Sequence, residues 1–510
     1  MQADAFTTRP RQYILSLLAG LLQAASVASP WSGQPAWWLQ LAALALLAWQ
    51  VGRTSDWRRG AWHGWWFASA WLSATFWWLF ISMHTYGGLP ALLAAPAVLA
   101  LAGLLALYYA AACSFFVAVA PPDPARRSLL FAALWLLAEL ARGRLLTGFG
   151  WGAAGYAHLD GPLAGYAPWL GVYGIGAIAA WLAMSLPQLR ICRTWRRAAL
   201  VAVVVLAGFL QTQQAGYSTS NGRIRAALLQ GNIPQDQKFQ PGSGVPTALR
   251  WYGEQLAASS AALVVAPETA IPLLPQQLPE SYWNALAKRF SGGAQAALIG
   301  MPLGSFKAGY TNSVVGFKPG QTAYWRYDKH HLVPFGEFIP PLFKWFTEMM
   351  NIPLGDFNRG DLAQASFEWQ GQQLAPNICY EDLFGEELGA RFAPLASAPT
   401  IFVNSSNIAW FGDTVAIDQH SSISRMRAIE FERPFIRATN TGATVIIDYK
   451  GRVTAALPRH TRGVLVGEVE GRSGHTPYAW WVSRLGLWPL WLLGLLVAAL
   501  AWRRRRAEYA

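Results

Sequence analysis

The sequence predicts a polytopic α-helical membrane domain of about eight transmembrane helices that carries an extramembrane layered α/β domain. Three observations predict it. Hydrophobic residues fill 53% of the 510 positions and charged residues only 13%, against about 25% charged in ordinary soluble domains. The deficit is uneven: residues 12–212 and 479–502 hold long apolar tracts, whereas 221–475 has the mixed texture of a soluble domain. The basic residues, finally, sit in short segments beside the apolar tracts, which is how topology is set in a bilayer.

A span needs roughly 20 apolar residues. Candidates are 12–29, 36–51, 61–82, 90–120, 128–146, 163–189, 197–213 and 479–502, seven before the mixed region and one after it. This divides the chain into a helical region over 1–213, a globular domain over 221–475 and a last span over 479–502. The first span has the look of a signal peptide, with Arg9 and Arg11 ahead of an apolar run and small residues near Ala25–Ser29. Retention is expected, because further spans follow at once.

The segments 1–11, 52–60, 121–127, 190–197 and 503–510 together contain 15 Arg and four acidic residues, Asp4, Asp56, Asp123 and Glu508, and so carry +11 of the net +13. They fall in every second loop. The alternate short loops have no Lys or Arg, and only Arg142 and Arg144 lie on that side. This asymmetry places both termini in the cytoplasm and residues 214–478 outside. It also argues against nucleic acid as a partner, since the charge lines span ends and forms no groove for phosphates. Many of the 27 Trp fall near span ends, as in an interfacial aromatic belt. Glu139 is either a functional intramembrane carboxylate or the partner of Arg142.

From Arg223 onward, short β-rich runs alternate with helical stretches. Strands are expected at 224–230, 262–266, 296–301, 312–317, 323–327, 373–378, 400–404, 435–440 and 444–448, and helices at 247–260, 280–290, 383–392 and 415–430. That mixture makes a layered α/β domain. Three polar residues stand where a strand hands over to a loop or helix: Glu268 in LVVAPETA, Lys329 in YWRYDKHHLVPFGEF and Cys379 in LAPNICYEDLFGEE. Sites in open α/β sheets gather at such strand ends. Singly, each has a plain structural reading, as a cap, a solvated lysine or a small core residue. The three cysteines, Cys113, Cys192 and Cys379, do not form a disulfide framework, and the topology leaves Cys379 alone on its side of the membrane.

The order Glu–Lys–Cys, each residue in a distinctive surround, resembles the nitrilase superfamily through "PET", "YDKxHLVPFGEF" and "CYED". QGNIPQDQKF at 230–239 and NSSNIAWFGDTVAIDQHSSISRMRAIEFERPFIRATNTG at 404–442 narrow the resemblance. With the flanking spans, the sequence resembles the apolipoprotein N-acyltransferases of bacterial inner membranes over essentially its whole length. Relatives often carry Trp where this chain has Phe239. The resemblance implies a nitrilase-like α-β-β-α sandwich on the periplasmic side. It implies Cys379 as nucleophile, Glu268 as general base with a raised pKa, and Lys329 with the Tyr380 N–H as donors to an oxyanion. A helix start and a nearby lysine are expected to favour the Cys379 thiolate. Glu337 is implied as a second carboxylate that orients Lys329 or holds the amine substrate, and Tyr380 and Glu381 as residues shaping the pocket behind the nucleophile.

The reaction so implied is ping-pong. Cys379 takes the sn-1 acyl chain of a phospholipid, phosphatidylethanolamine first among them, as a thioester. The α-amino group of a diacylated apolipoprotein then receives it. No cofactor is implied, and the chain is expected to act as a monomer. His330 and His331 are adjacent, which suits no common metal geometry, so no metal is expected. The arm 341–357, with Trp345, Phe346 and Met349, is a candidate lid or lipid-facing segment, as is Trp151 in the Gly-rich loop 148–156, and Phe239 is expected to face the acyl chain. The alternative is a membrane-anchored amide hydrolase of the nitrilase type, with water as acceptor. A transporter is disfavoured, since neither internal repeats nor midplane charges are evident.

Overall fold

The computed structural model of the chain describes residues 9–189, 195–214, 216–339, 356–393 and 397–507. Two compact units emerge: Met1–Phe80, Ala91–Ala215 and Leu487–Ala510 form one, and Ile81–Pro90 with Gly216–Gly486 the other.

The first unit is helical. Its helices run over Arg9–Val27, Trp37–Arg53, Trp57–Phe76, Ala91–Val119, Pro124–Arg144, Ala167–Leu189, Trp195–Gln213 and Trp488–Ala507. Among the described residues, Ala91–Val119, Pro162–Gln188 and Trp195–Gln213 are long and apolar enough to cross a membrane, with a fourth if Pro477–Leu485 and Trp488–Ala507 count as one span. The chain is therefore a membrane protein with several apolar helices. The acidic residues of the basic loops act as helix starts: Asp56 accepts from Arg58 N at 3.0 Å and Asp123 from Arg126 N at 2.9 Å, with Pro124 opening the second of these helices. Glu139 and Arg142 are both fully buried. Each grips the loop that follows: Glu139 Oε1 accepts from Ala154 N, and Arg142 Nη1 donates to the carbonyls of Phe149 and Trp151, all at 2.7 Å.

Two expected spans differ from the structure. The run 61–82 is not one helix, because α-helix gives way at Phe76 and a π-helical turn covers Ser82–Tyr86. Gly87 and Gly88 follow, and residues 81–90 belong to the second unit. The run 479–502 is broken at Gly486, which takes φ 54° in a Gly-Leu-Trp-Pro sequence that combines two helix breakers.

The second unit is built on two six-stranded sheets. One has the order β12-β1-β2-β3-β4-β5, with β1 Ser218–Gln230, β2 Leu263–Val265, β3 Ala296–Ser305, β4 Gly309–Phe317, β5 Trp325–Asp328 and β12 Gly463–Gly474. The other has the order β11-β10-β9-β8-β7-β6, with β6 Phe367–Trp369, β7 Gln372–Ile378, β8 Ile401–Ser406, β9 Phe435–Thr439, β10 Val445–Ile447 and β11 Val453–Ala456. Each sheet has three parallel central strands, β1-β2-β3 and β7-β8-β9, flanked by antiparallel ones.

Strand alternation sorts the side chains into two cores. Ile224, Ala226 and Leu228 of β1 join Leu374, Ile401 and Ile436 between the sheets. Ala227 and Leu229 face the other way, against Tyr252 and Leu256 of helix Gly244–Ala258 and Phe290 of helix Glu280–Ser291. A period of two with both faces apolar is what a strand buried on both sides requires. The result is a nitrilase-like α/β sandwich whose parallel strands deliver their C-terminal ends to one rim.

Candidate active site

Three loop segments bring the site together at the C-terminal ends of the strands. β2 ends at Val265, and Glu268 follows Pro267, ahead of Thr269 in a left-handed turn at φ 47°. β5 ends at Asp328 and presents Lys329. β7 ends at Ile378, and Cys379 takes φ 52° before a short 3-10 turn over Cys379–Leu383. A residue with a Cβ pays about 1–3 kcal/mol for that backbone. Such strain persists where the surrounding structure holds the residue in place.

Lys329 is fully buried, and its Nζ donates to Glu337 Oε1 at 2.9 Å and Glu268 Oε1 at 3.3 Å. Asn312 of β4 stands between the same two carboxylates, its Nδ2 donating 2.7 Å to Oε1 of each. Glu268 Oε2 accepts from Asn407 N at 2.9 Å, and Glu337 Oε2 from Val333 N at 2.9 Å. The residues Glu268, Lys329 and Glu337 are thus brought into one network. Asn312, which the sequence reading passed over, completes it.

Burial works against ionisation of Glu268. The charges of Lys329 and then Lys238, with the Asn312 and Lys329 hydrogen bonds, outweigh it and hold the carboxyl below its ordinary value. This corrects the expectation of a raised pKa. Burial likewise opposes the Lys329 ammonium, but Glu268 and Glu337 more than restore it, so it stays protonated. Cys379 reaches solvent only in part. Burial first, and then the Glu268 charge, push its thiol up to about 12 against the pull of Lys329 and the nearby Ser406 hydroxyl. The expected favouring of the thiolate is also corrected. The helix that was to supply it is a single 3-10 turn, and the nearby lysine is shared between two carboxylates.

A second buried lysine belongs to this neighbourhood. Lys238 Nζ donates to the Glu268 carbonyl at 2.9 Å, and burial pulls it down to about 7 despite the opposing charges of Glu268 and Cys379. The only sequence signal was its place beside Phe239 in QGNIPQDQKF. Phe239 itself is half-buried, with Lys238 Nζ 5.9 Å from its ring centre.

Glu381 ties the lysine loop to the cysteine loop. Its Oε1 accepts from His330 N at 2.6 Å and its Oε2 from Ile378 N at 2.6 Å, while the Tyr327 hydroxyl reaches both oxygens at 2.9 Å. The Tyr380 ring packs on His331 and Phe384. His330 and His331 turn to different partners, Gly360 O and Glu387, as adjacent residues in an extended loop do. Trp151 lies in the helical unit, buried against Trp78 with ring centres 5.1 Å apart, and is not presented at the surface of that unit. Trp345, Phe346 and Met349 of the 341–357 arm lie outside the described residues.

Residues 19–185 match the family described as the apolipoprotein N-acyltransferase N-terminal domain, and residues 225–478 match carbon-nitrogen hydrolase. The chain is similar to the apolipoprotein N-acyltransferase of Verminephrobacter eiseniae, 59% identical over 502 residues and 92% of each chain. It is similar also to that of Ralstonia nicotianae, 46% identical over 93% of this chain and 91% of the other. A solved structure of a nitrilase-superfamily member from Saccharomyces cerevisiae is 14% identical, with a TM-score of 0.36, over 50% of this chain and 92% of that one.

Proposed function

The chain belongs to the apolipoprotein N-acyltransferase family and is an acyltransferase; from that premise we propose that it moves an acyl chain through a thioester on Cys379. The donor is the sn-1 ester of a phospholipid such as phosphatidylethanolamine. The acceptor is the α-amino group of the diacylglyceryl-cysteine that begins an apolipoprotein. The helical unit crosses the inner membrane eight times, with both termini in the cytoplasm and residues 214–478 in the periplasm. The alternation of arginine-rich and arginine-free loops supports this orientation.

The observation that carries the reading is the buried network of Glu268, Lys329, Asn312 and Glu337 beside a cysteine held at a left-handed strand end. Its resting charge state suits the chemistry. The thiol keeps its proton, and Glu268 is ionised and able to take it. Storing a free thiolate would cost about 1.4 kcal/mol for each unit between the working pH and the thiol pKa. The proton therefore passes to Glu268 as Sγ bonds to the ester carbonyl carbon. The oxyanion is met by Lys329 and the Tyr380 N–H, and the proton held on Glu268 goes to the leaving glycerol oxygen as the C–O bond breaks. In the second half the amine attacks the thioester carbon. Glu268 takes a proton from the nitrogen, and Cys379 leaves and is reprotonated. The thioester must be kept from water, which calls for an apolar, shielded surround.

Mass spectrometry of the enzyme incubated with phospholipid alone tests this reading. The expected result is a mass increase of one acyl group on Cys379, lost when a diacylated lipopeptide is added and absent in Cys379→Ala. Full N-acylation by Cys379→Ala would overturn it.

A further inference from the structure

The peptide that joins Cys379 to Tyr380 is gripped from behind. The Cys379 carbonyl oxygen accepts from Asn404 Nδ2 at 3.0 Å and lies 3.1 Å from His420 Nε2. The other face of the ring fixes the histidine tautomer. His420 Nδ1 stands 3.1 Å from Arg437 Nη2, and a guanidinium only donates, so Nδ1 accepts and the ring proton is on Nε2. That proton is shared between the Cys379 carbonyl and Asp382 Oδ1, the latter at 3.0 Å. Asp382 Oδ2 in turn accepts from Arg437 Nη1 at 2.9 Å and from the Ser424 hydroxyl. Asn404, His420, Asp382, Ser424 and Arg437 are all fully buried. Strand β8, strand β9, helix Ala416–Phe431 and the turn after β7 each contribute to the set.

In a trans peptide the carbonyl and the following N–H point to opposite sides of the chain. Fixing the Cys379 carbonyl on the buried side therefore fixes the direction of the Tyr380 N–H. We propose that Asn404 and His420 are positioning residues whose joint hold on the Cys379 carbonyl aims the Tyr380 N–H at the oxyanion formed in both half-reactions. This rests on the thioester reading above. Burial and the Arg437 guanidinium at Nδ1 keep the His420 ring neutral against the pull of Asp382, and Asp382, Ser424 and Arg437 hold it turned so that Nε2 faces the peptide. The same hold keeps Cys379 in its left-handed conformation.

A core that only stabilises the fold would leave a different signature from one that aims a donor. Iodoacetamide alkylates Cys379 by displacing iodide from a saturated carbon, which needs the sulfur and no oxyanion donor. Acylation by phospholipid needs both. The test compares the two rates in detergent-solubilised full-length enzyme, wild type against Asn404→Leu and His420→Gln. Asn404→Leu removes one donor, and acyl-adduct formation on Cys379 is expected to fall about tenfold or more while alkylation at the same pH changes by less than about threefold. His420→Gln keeps an amide donor and is expected to retain most of the acylation rate. Should Asn404→Leu fail to accumulate, Asn404→Ala is read in the same way. Parallel loss of acylation and alkylation, or loss of neither, would overturn the positioning role. A wild-type enzyme that forms no adduct on Cys379 would instead overturn the thioester reading, and this proposal with it.

Discussion

Lys238 Nζ donates to the backbone carbonyl of Glu268 at 2.9 Å, which sets a second buried ammonium against the proposed general base. Lys329 and Lys238 together hold the Glu268 carboxyl low. Lys238 titrates near 7, so its charge is present on the acid side, where Glu268 must be ionised. Removing that charge disfavours the carboxylate and raises its pKa. The acid limb of the transfer profile is expected to move to higher pH in Lys238→Met and to stay close to wild type in Lys238→Arg. Acylation rates of a lipopeptide measured from pH 4 to pH 8 (about four units, enough to bracket an ordinary carboxylate) check this, and an unmoved limb in Lys238→Met would count against it.

The thiol of Cys379, pushed up to about 12, makes a prediction about reactivity. Below its pKa the thiolate fraction rises about tenfold per pH unit, so alkylation should climb at that slope through neutral pH with no plateau by about pH 10. A low-pKa thiol would level off near neutrality. Mass spectrometry of iodoacetamide-treated enzyme over a pH series distinguishes the two curves. Glu268→Gln removes a negative neighbour and is expected to shift the alkylation curve to lower pH even as it abolishes transfer.

Glu337 shares Lys329 with Glu268 and is bridged to it by Asn312. Glu337→Gln keeps the shape but gives Lys329 a weaker acceptor. The lysine is then drawn toward Glu268, away from the position that serves the oxyanion. Loss of a charged hydrogen bond is worth about 1.5–3 kcal/mol, so kcat is expected to fall about 10- to 100-fold. KM for phospholipid should move little, because the Glu337 carboxylate is already taken up by Lys329, Asn312 and the Val333 N–H. Steady-state kinetics with detergent-dispersed phospholipid provide the measurement.

Much of this was legible in the chain because strand ends announce themselves. Glu268 and Cys379 each follow an apolar run with a clear stop, and Lys329 an aromatic-rich one. Asn312 lay inside a strand, in YTNSVVGF, where nothing local separates a bridging amide from an ordinary inward polar residue. Lys238 was masked by its neighbour Phe239, since a lysine in a polar run normally stays in water. Asn404 and His420 stood in plain view within 404–442. Their common target, one carbonyl oxygen, exists only after β7, β8 and the helix Ala416–Phe431 have packed.

The same limit applies to the fold. β12 was not expected because Gly463, Gly467, Gly471 and Gly474 dilute its strand character, yet it pairs with β1 along Ser218–Gln230. The short strands β6 and β11 carry too few residues for a period to be read. The expected span over 479–502 read as continuous because its composition is apolar throughout. The Gly486 backbone sign, which breaks it, is a conformational fact that composition does not carry.

The two sheets hold different halves of the chemistry. Glu268 and Lys329 come from the β12-β1-β2-β3-β4-β5 sheet, and Cys379, Asn404 and Asn407 from its partner, with Asn407 N reaching across to Glu268 and the Ser405 hydroxyl to the Ala266 carbonyl. On the proposed mechanism, neither sheet alone contains the nucleophile together with its base. A chain emerging on the outer face of the membrane, as in the proposed topology, therefore carries a cysteine without its base until the sheets have closed on each other. On that mechanism, folding and competence become one event, and a half-folded copy is chemically silent.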